Sequence, residues 1–162
     1  MSSLEKLQPI FLQALTETFE NLFFEDVVLH GSSWLDNDSE FPESWWVRID
    51  VLEPFKTCFV LVVRKDLMVR YTEAIFGMIE DQMPEEAQVL DNLGELMNTM
   101  CGRIMALLLP ENCTFKLGLP VVGEGKIQDL TDKYISLNCL IGDNLVFLLL
   151  PESFCFSEFA PK

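Results

Sequence analysis

Five residues on one face of a predicted helix have the types and the spacing that could carry chemistry. From position 90 to 107 apolar residues recur every three or four positions, which predicts an α-helix with one buried stripe. At about 100° per residue the opposite face carries Asp91, Glu95, Asn98, Gly102 and Ala106. A carboxylate can pair with a cation, and an amide can both donate and accept a hydrogen bond to water.

The composition of this face differs from that of an ordinary solvent-exposed helix surface. Asn98 and Gly102 are poor helix formers, and a glycine in a helix costs about 1 kcal/mol relative to alanine. Lys, Glu, Gln and Arg would be expected if the face only contacted water. The pattern indicates that this face has a function. The alternative interpretation is that its residues are ordinary exposed residues.

The same segment resembles the CheX branch of the CheC/CheX/FliY chemotaxis phosphatases. That family is marked by an Asp, then Glu-x-x-Asn, then a Gly one turn later and a downstream Pro-x-Val. The residues of this chain that match in order and spacing are Asp91, Glu95, Asn98, Gly102, Pro120 and Val122. Residues 14–20 are also similar to the family's first helix, although no Glu-x-x-Asn occurs there. The resemblance extends over nearly the whole chain at the level of element order.

The resemblance implies a phosphatase that hydrolyses the aspartyl phosphate of a CheY-like receiver domain, in chemotaxis or another two-component pathway. Asn98 would orient the attacking water, and Glu95 would pair with a receiver lysine. Asp91, Gly102 and Ala106 would belong to the surface that docks the receiver. The resemblance also implies no metal or cofactor on this chain, Mg²⁺ on the receiver, and a homodimer formed through a sheet edge.

Two alternatives of a different class are compatible with the same residues. The domain could be a non-catalytic module that binds or scaffolds a receiver through the same helix face. It could also be a structural dimer whose helix face packs internally. A phosphate-release assay with a phosphorylated receiver and Mg²⁺ separates catalysis from binding.

Charge and cysteine content narrow the function classes further. The formal charge of −15 argues against nucleic acids and anionic membranes, both of which are bound through Lys and Arg. Apolar runs are too short to cross a bilayer, and no signal peptide is expected at the N-terminus. Five widely spaced cysteines without a C-x-x-C pair favour reduced thiols, so we expect a cytoplasmic protein.

The element order predicts an α+β fold, with an antiparallel six-stranded sheet and three helices packed on one face. Helices are predicted over 4–24, 66–78 and 84–108, and strands over 26–35, 44–52, 57–63, 114–122, 133–141 and 145–150. We expect a single domain over 1–162, whose Phe-rich tail 151–162 docks on its own sheet or on a partner subunit. The lone His30 is expected to be a packed or surface histidine and not a catalytic base, because no catalytic partner accompanies it.

Overall fold

The structure is a computed structural model that describes residues 3–36, 38–78, 82–127, 130 and 133–155. Within these residues the chain forms, in order, α1 (Ser3–Phe23), β1 (Val27–Leu35), β2 (Ser44–Glu53), β3 (Thr57–Arg64), α2 (Lys65–Phe76), α3 (Glu86–Leu108), β4 (Lys116–Leu117), β5 (Val121–Glu124), β6 (Tyr134–Ile141), β7 (Asn144–Pro151) and the short α4 (Glu152–Cys155).

The strands form one antiparallel sheet in the order β1-β6-β7-β3-β2-β4, with β5 also pairing with β2. The helices pack on one face of this sheet, which confirms the predicted α+β fold class. The described residues form seven strands where six were predicted, because the predicted strand 114–122 divides into β4 and β5. Pro120 lies at the break and has no backbone N–H to donate to a ladder. Gly123 and Glu124, which follow the predicted strand, continue β5.

The alternation of β2 determines which side of the sheet holds the main core. The side chains on the helix face are fully or almost fully buried: Trp45, Val47, Ile49 and Val51. Trp46 points to the opposite face, where it joins a smaller cluster with residues such as Ile127 and Leu149. Both tryptophans therefore pack on the sheet, one on each face, because successive side chains of a strand point to opposite faces.

α1 and α2 end where left-handed backbone interrupts them. α1 spans Ser3–Phe23, within one residue of its prediction, and Phe24 has a φ of 57°. α2 ends at Phe76 rather than Met78, because Gly77 adopts a φ of 61° and its N–H bonds to the last turn. Asp66, where the helix was predicted to begin, lies inside the first turn, and its carboxylate accepts from the Leu67 N–H at 2.9 Å.

α3 begins with a reciprocal capping arrangement that the sequence prediction placed slightly differently. Glu85 is the N-cap: its side chain accepts from the Gln88 N–H, and the Gln88 side chain accepts from the Glu85 N–H at 3.0 Å. Pro84, predicted as the first helical residue, therefore precedes the cap. The helix ends at Leu108, as predicted, just before Pro110.

The first residues of the C-terminal tail pack into the main core. The Phe154 ring lies 5.3 Å from the Phe59 ring, 5.7 Å from Phe55 and 6.0 Å from Phe11, measured between centroids. The other two tail phenylalanines, Phe156 and Phe159, lie outside the described residues. The single-domain extent and the docking of the whole tail thus stay predictions.

Three further features bear on the function classes considered. His30 is exposed on β1, next to a shift in the β1–β6 register, and is not part of the core. All five cysteines are free, and four of them are buried. No helix in the described part of the chain is both long enough and apolar enough to cross a membrane.

Candidate functional site

α3 brings the five predicted residues together on its exposed face. Asp91, Glu95, Asn98 and Ala106 are exposed, and Gly102 is half-buried among them. The predicted phase of the helix is therefore confirmed, because the side that carries Glu95 and Asn98 faces solvent. The roles of these residues stay predictions, because their placement alone does not establish what they bind. We call this surface the α3 face.

The buried side of α3 is broader than the predicted stripe. Leu93, Met97, Met100 and Ile104 are fully buried as predicted, whereas Leu90 and Leu107 are only partly buried. The additional buried residues are Val89, Gly94, Leu96, Cys101 and Met105. The broadening arises because α3 contacts both α1 and α2 as well as the sheet. A single amphipathic stripe predicts only one contacting neighbour.

The polar side chains of the α3 face are unengaged. Among the residues that the structure describes, neither the Glu95 carboxylate nor the Asn98 amide has a hydrogen-bond or ion-pair partner. Asp91 and Glu95 lie four residues apart on this face, which carries no Lys or Arg. Two like charges without a neutralising neighbour produce a locally negative surface that suits a cationic group.

Two polar contacts hold α3 on the flanks of this face. The Asn92 side-chain amide donates to Thr72 Oγ1 of α2 at 3.1 Å, and that buried hydroxyl donates to the Met68 carbonyl at 2.8 Å. Nearer the C-terminal end of the helix, Arg103 forms an ion pair with Glu17 of α1 at 3.5 Å. The helix is thereby fixed against both neighbours, which restricts the directions in which Glu95 and Asn98 can point.

Pro120 contacts α3 beside the face, a feature that sequence reasoning did not identify. A Cβ built on Gly94 would lie 3.6 Å from the Pro120 Cβ, so the segment between β4 and β5 approaches the helix at ordinary contact distance. Gly94 is buried as a result. The sequence did carry a signal for this contact. Gly94 is a second glycine in the same helix, eight residues before Gly102, and glycine permits another segment to approach closely.

Gly102 itself faces open space. A Cβ built at this position meets no atom within 4 Å, so no packing contact of the described residues requires a glycine there. A residue that weakens the helix without packing against its own domain calls for another explanation. Gly102 leaves the surface of α3 open at this turn.

Cys101 is the strongest nucleophile type near the α3 face, but its environment excludes that role. The side chain points into the core, and burial raises the pKa of its thiol far above the ordinary value. A thiol that stays protonated is a poor nucleophile. The polar groups exposed on this surface are the carboxylates of Asp91 and Glu95 and the amide of Asn98.

Comparison with known families identifies the chain. The family described as chemotaxis phosphatase CheX matches residues 46–137, more than half of the sequence. The chain belongs to the CheX family. The matched range contains α3 and the Pro120–Val122 segment, whereas α1 and β1 lie before it. The resemblance on the residues of α3 is thus confirmed at the level of the family.

Solved structures share the fold over most of this CheX-family chain. A CheC-like superfamily protein from Shewanella sp. PV-4 is 16% identical, with a TM-score of 0.71, and the match covers 90% of this chain and 96% of that chain. CheX from Vibrio vulnificus is also 16% identical, with a TM-score of 0.70 and coverage of 90% and 97%. None of the curated proteins compared with the sequence matches it. At these identities the likeness shows the fold.

One similar structure contains a second protein. It is a complex of CheX with CheY, BeF₃ and Mg²⁺ from Borrelia burgdorferi, and it matches with a TM-score of 0.69 and 14% identity. The match covers 89% of this chain and 96% of that chain. A member of the same fold thus associates with a CheY receiver.

Proposed function

We propose that this chain is a phosphatase for the aspartyl phosphate of a CheY-like receiver domain, and that the α3 face is its active surface. One observation carries the proposal: Glu95 and, one turn later, Asn98 are both exposed on the α3 face. Among the described residues, neither side chain has a hydrogen-bond or ion-pair partner. Membership in the CheX family supports the general activity, and the Borrelia complex supports a CheY-like partner. The five free cysteines favour a reducing, cytoplasmic location.

The reaction requires a water held in line with the scissile bond. The water oxygen attacks phosphorus, the bond from phosphorus to the receiver's aspartyl oxygen breaks, and inorganic phosphate leaves. Asn98 orients this water, because its amide carbonyl accepts a hydrogen bond and its NH₂ donates one without adding charge. A carboxylate at the same position would repel the phosphoryl group.

Glu95 serves a different purpose in the proposal. Its carboxylate pairs with a receiver lysine and orients the docked partner, which brings the phosphoryl group to Asn98. Asp91 adds negative charge one turn earlier, and Gly102 with Ala106 lets the partner's backbone approach the helix. No metal or cofactor is assigned to this chain, and Mg²⁺ on the receiver neutralises charge that develops on the phosphoryl oxygens.

The test of the proposal is release of inorganic phosphate from a phosphorylated receiver with Mg²⁺, in the presence and absence of this protein. Acceleration above the receiver's own hydrolysis supports a phosphatase. Tight binding of the receiver without acceleration would instead support the alternative function, a non-catalytic binding or scaffolding module that uses the α3 face.

Glu95→Ala is expected to weaken docking more than chemistry. We expect KM for the phosphorylated receiver to rise about tenfold, with a smaller change in kcat, because an interfacial charge pair is lost. Steady-state phosphate release over a range of receiver concentrations measures both constants. Glu86→Ala removes the same charge from the first turn of α3 and provides the matched control.

A double-mutant cycle tests the proposed ion pair directly. If Glu95 pairs with a receiver lysine, removing that lysine should abolish most of the additional effect of Glu95→Ala. Losses that simply add in the double mutant would show that the two groups do not interact. The role of Glu95 would then have to be reassigned.

We also propose that the protein forms a homodimer through the β1 edge of its sheet. β1 is the end strand, spans nine residues and pairs on one side with β6. It contains no charged residue and no proline, which are the devices that usually protect an edge strand from pairing. The opposite edge is formed by β4 and β5, which have only two and four residues.

Light scattering at micromolar concentration is expected to give twice the chain mass of 18.6 kDa. Val28→Glu should shift the mass toward the monomer, because a two-fold interface brings equivalent charges near each other on paired strands. Met83→Glu adds the same charge at an exposed position outside the sheet and should leave the mass unchanged. A monomeric wild-type protein would rule out the dimer.

A further inference from the structure

Three apolar side chains form a row on the sheet face that lies away from the helices. Val28 of β1 pairs with Leu140 of β6, and Leu140 pairs with Leu145 of β7, so the three side chains lie side by side. The sequence neighbours Ile141 and Val146 are fully buried in the main core on the helix side. Because successive side chains of a strand alternate between faces, the row points to the opposite face.

The row is open to solvent and continues into a cavity. Val28 is 59% exposed and Leu145 is 37% exposed, while Leu140 is half-buried. Leu145 and Phe147 line a cavity of about 510 Å³, which the loop before β2 closes on its other side. In that loop Phe41 packs against Phe147, with the ring centroids 5.1 Å apart. We call Val28, Leu140, Leu145 and Phe147 the outer patch.

The middle of the same sheet face is covered, which distinguishes it from the outer patch. Val62 and Leu149 are buried there in a cluster with Ile127, which follows β5. Val28 and Leu145 stay exposed on the same face. Single exposed apolar residues are ordinary, whereas contiguous ones with a polar rim mark a surface that binds a partner.

Carboxylates outnumber cations at the rim of the cavity. Asp143 lines it, is exposed, and has no hydrogen-bond or ion-pair partner within the described ranges of the chain. Arg64 also lines the cavity, but its guanidinium already pairs with Asp66 at 3.1 Å and with Glu43 at 3.5 Å. Three carboxylates therefore surround one guanidinium, which leaves the rim negatively charged.

A second guanidinium close to the cavity does not reverse this balance. Arg70 of α2 donates to the Asn144 side-chain oxygen at 3.4 Å. At the same turn the Glu25 carboxylate lies 3.1 Å from a Cβ built on Gly142, so a further carboxylate accompanies this cation. A partner that complements the rim is therefore cationic.

We propose that the outer patch binds a second protein partner, through a segment that combines large apolar side chains with Lys or Arg. The apolar side chains of that segment enter the cavity beside Phe147 and cover Leu145, and its cation pairs with Asp143. α3 packs on the other side of the sheet, so this surface is separate from the α3 face. The inference goes beyond the proposed phosphatase activity and does not depend on it.

A second copy of this chain is the competing occupant, and its charge argues against it. In a two-fold contact through the outer patch, the acidic rims of the two copies would lie near each other. Each chain also carries a net charge of −15, so like charges would repel across such an interface. The dimer proposed above uses the free edge of β1, which leaves the face of the sheet accessible.

Two labelled peptides of equal apolar content test the inference, Lys-Leu-Phe-Lys-Leu-Phe-Lys and the same peptide with Glu in place of each Lys. We expect the cationic peptide to bind with a Kd of about 10–100 μM by fluorescence anisotropy, and the acidic peptide at least about tenfold more weakly. Salt at about 150 mM limits non-specific attraction to the acidic protein. Backbone amide NMR shifts should change in residues 140–147 and not in residues 95–102.

Substitutions in the outer patch separate this site from non-specific binding. Leu145→Ser should raise Kd for the cationic peptide about tenfold, and Asp143→Asn about threefold, because one loses apolar contact and the other the charge pair. Leu119→Ser, at an 88% exposed leucine near the far edge of the sheet, is the matched control and should leave Kd unchanged. Receiver binding and phosphate release should match the wild type in all three variants, and thermal melting should confirm the fold.

Any of four results would overturn the inference. The first is a wild-type protein that does not bind the cationic peptide or binds the acidic one equally well. The second is unchanged affinity in both Leu145→Ser and Asp143→Asn, which would show non-specific attraction. A lower molecular mass of Leu145→Ser by light scattering would assign the patch to a second copy. A several-fold gain in peptide affinity after deletion of residues 156–162 would assign it to the C-terminal segment of the chain itself.

Discussion

Asn98→Ala is expected to reduce receiver dephosphorylation by about 10²–10³-fold while leaving the fold intact. The loss has this size because a single positioned polar group at a reacting centre typically contributes that much to the rate. Stability should not fall, since the Asn98 side chain is exposed, without a partner in the described part of the structure, and alanine is the better helix former. Single-turnover phosphate release measures the chemical step separately from docking.

Two companion variants make the Asn98 result specific. Thr99→Ala changes an exposed neighbour on the same helix and should retain nearly the wild-type rate. Asn98→Asp keeps the shape but places a negative charge against the phosphoryl group, so it should be as slow as alanine at neutral pH. A wild-type rate in Asn98→Ala would remove the water-positioning role.

Gly102→Leu is expected to abolish receiver binding without unfolding the protein. A side chain at this position meets open space in the domain itself, so it has room to extend outward from the helix. Replacing a helical glycine should raise the free energy of unfolding by about 0.5–1 kcal/mol, which corresponds to roughly 1–4 °C in Tm for a domain of this size. Binding should fail because leucine occupies the space that the partner's backbone would enter.

The Gly102 experiment needs a control for the change in size. Ala74→Leu enlarges an exposed residue of α2 and should leave receiver binding intact. Gly102→Ala should show the gain in stability with a much smaller loss of binding. Full activity in Gly102→Leu would exclude the α3 face as the docking surface, and unfolding would mean that the helix packs differently at this turn.

The predictions from sequence agree best with the structure where a feature depends only on residues that are close together in the chain. The hairpin of β6 and β7 follows from Gly142, whose φ of 59° permits a tight turn before Asn144. Hydrophobic periodicity also predicted the limits of α1 to within one residue, and the position of Pro110 predicted the end of α3. These features depend on neighbours in the sequence, which is why local rules succeed.

The face of α3 that carries Glu95 and Asn98 follows from residue spacing alone, because helical geometry converts spacing into direction. How that face is held, and what lies beside it, depends instead on long-range packing. The contacts of Asn92 with Thr72, of Arg103 with Glu17 and of Pro120 with Gly94 join segments that are distant in the chain. No periodic pattern encodes such pairings, since each depends on how α1, α2 and the β4–β5 segment pack around one helix.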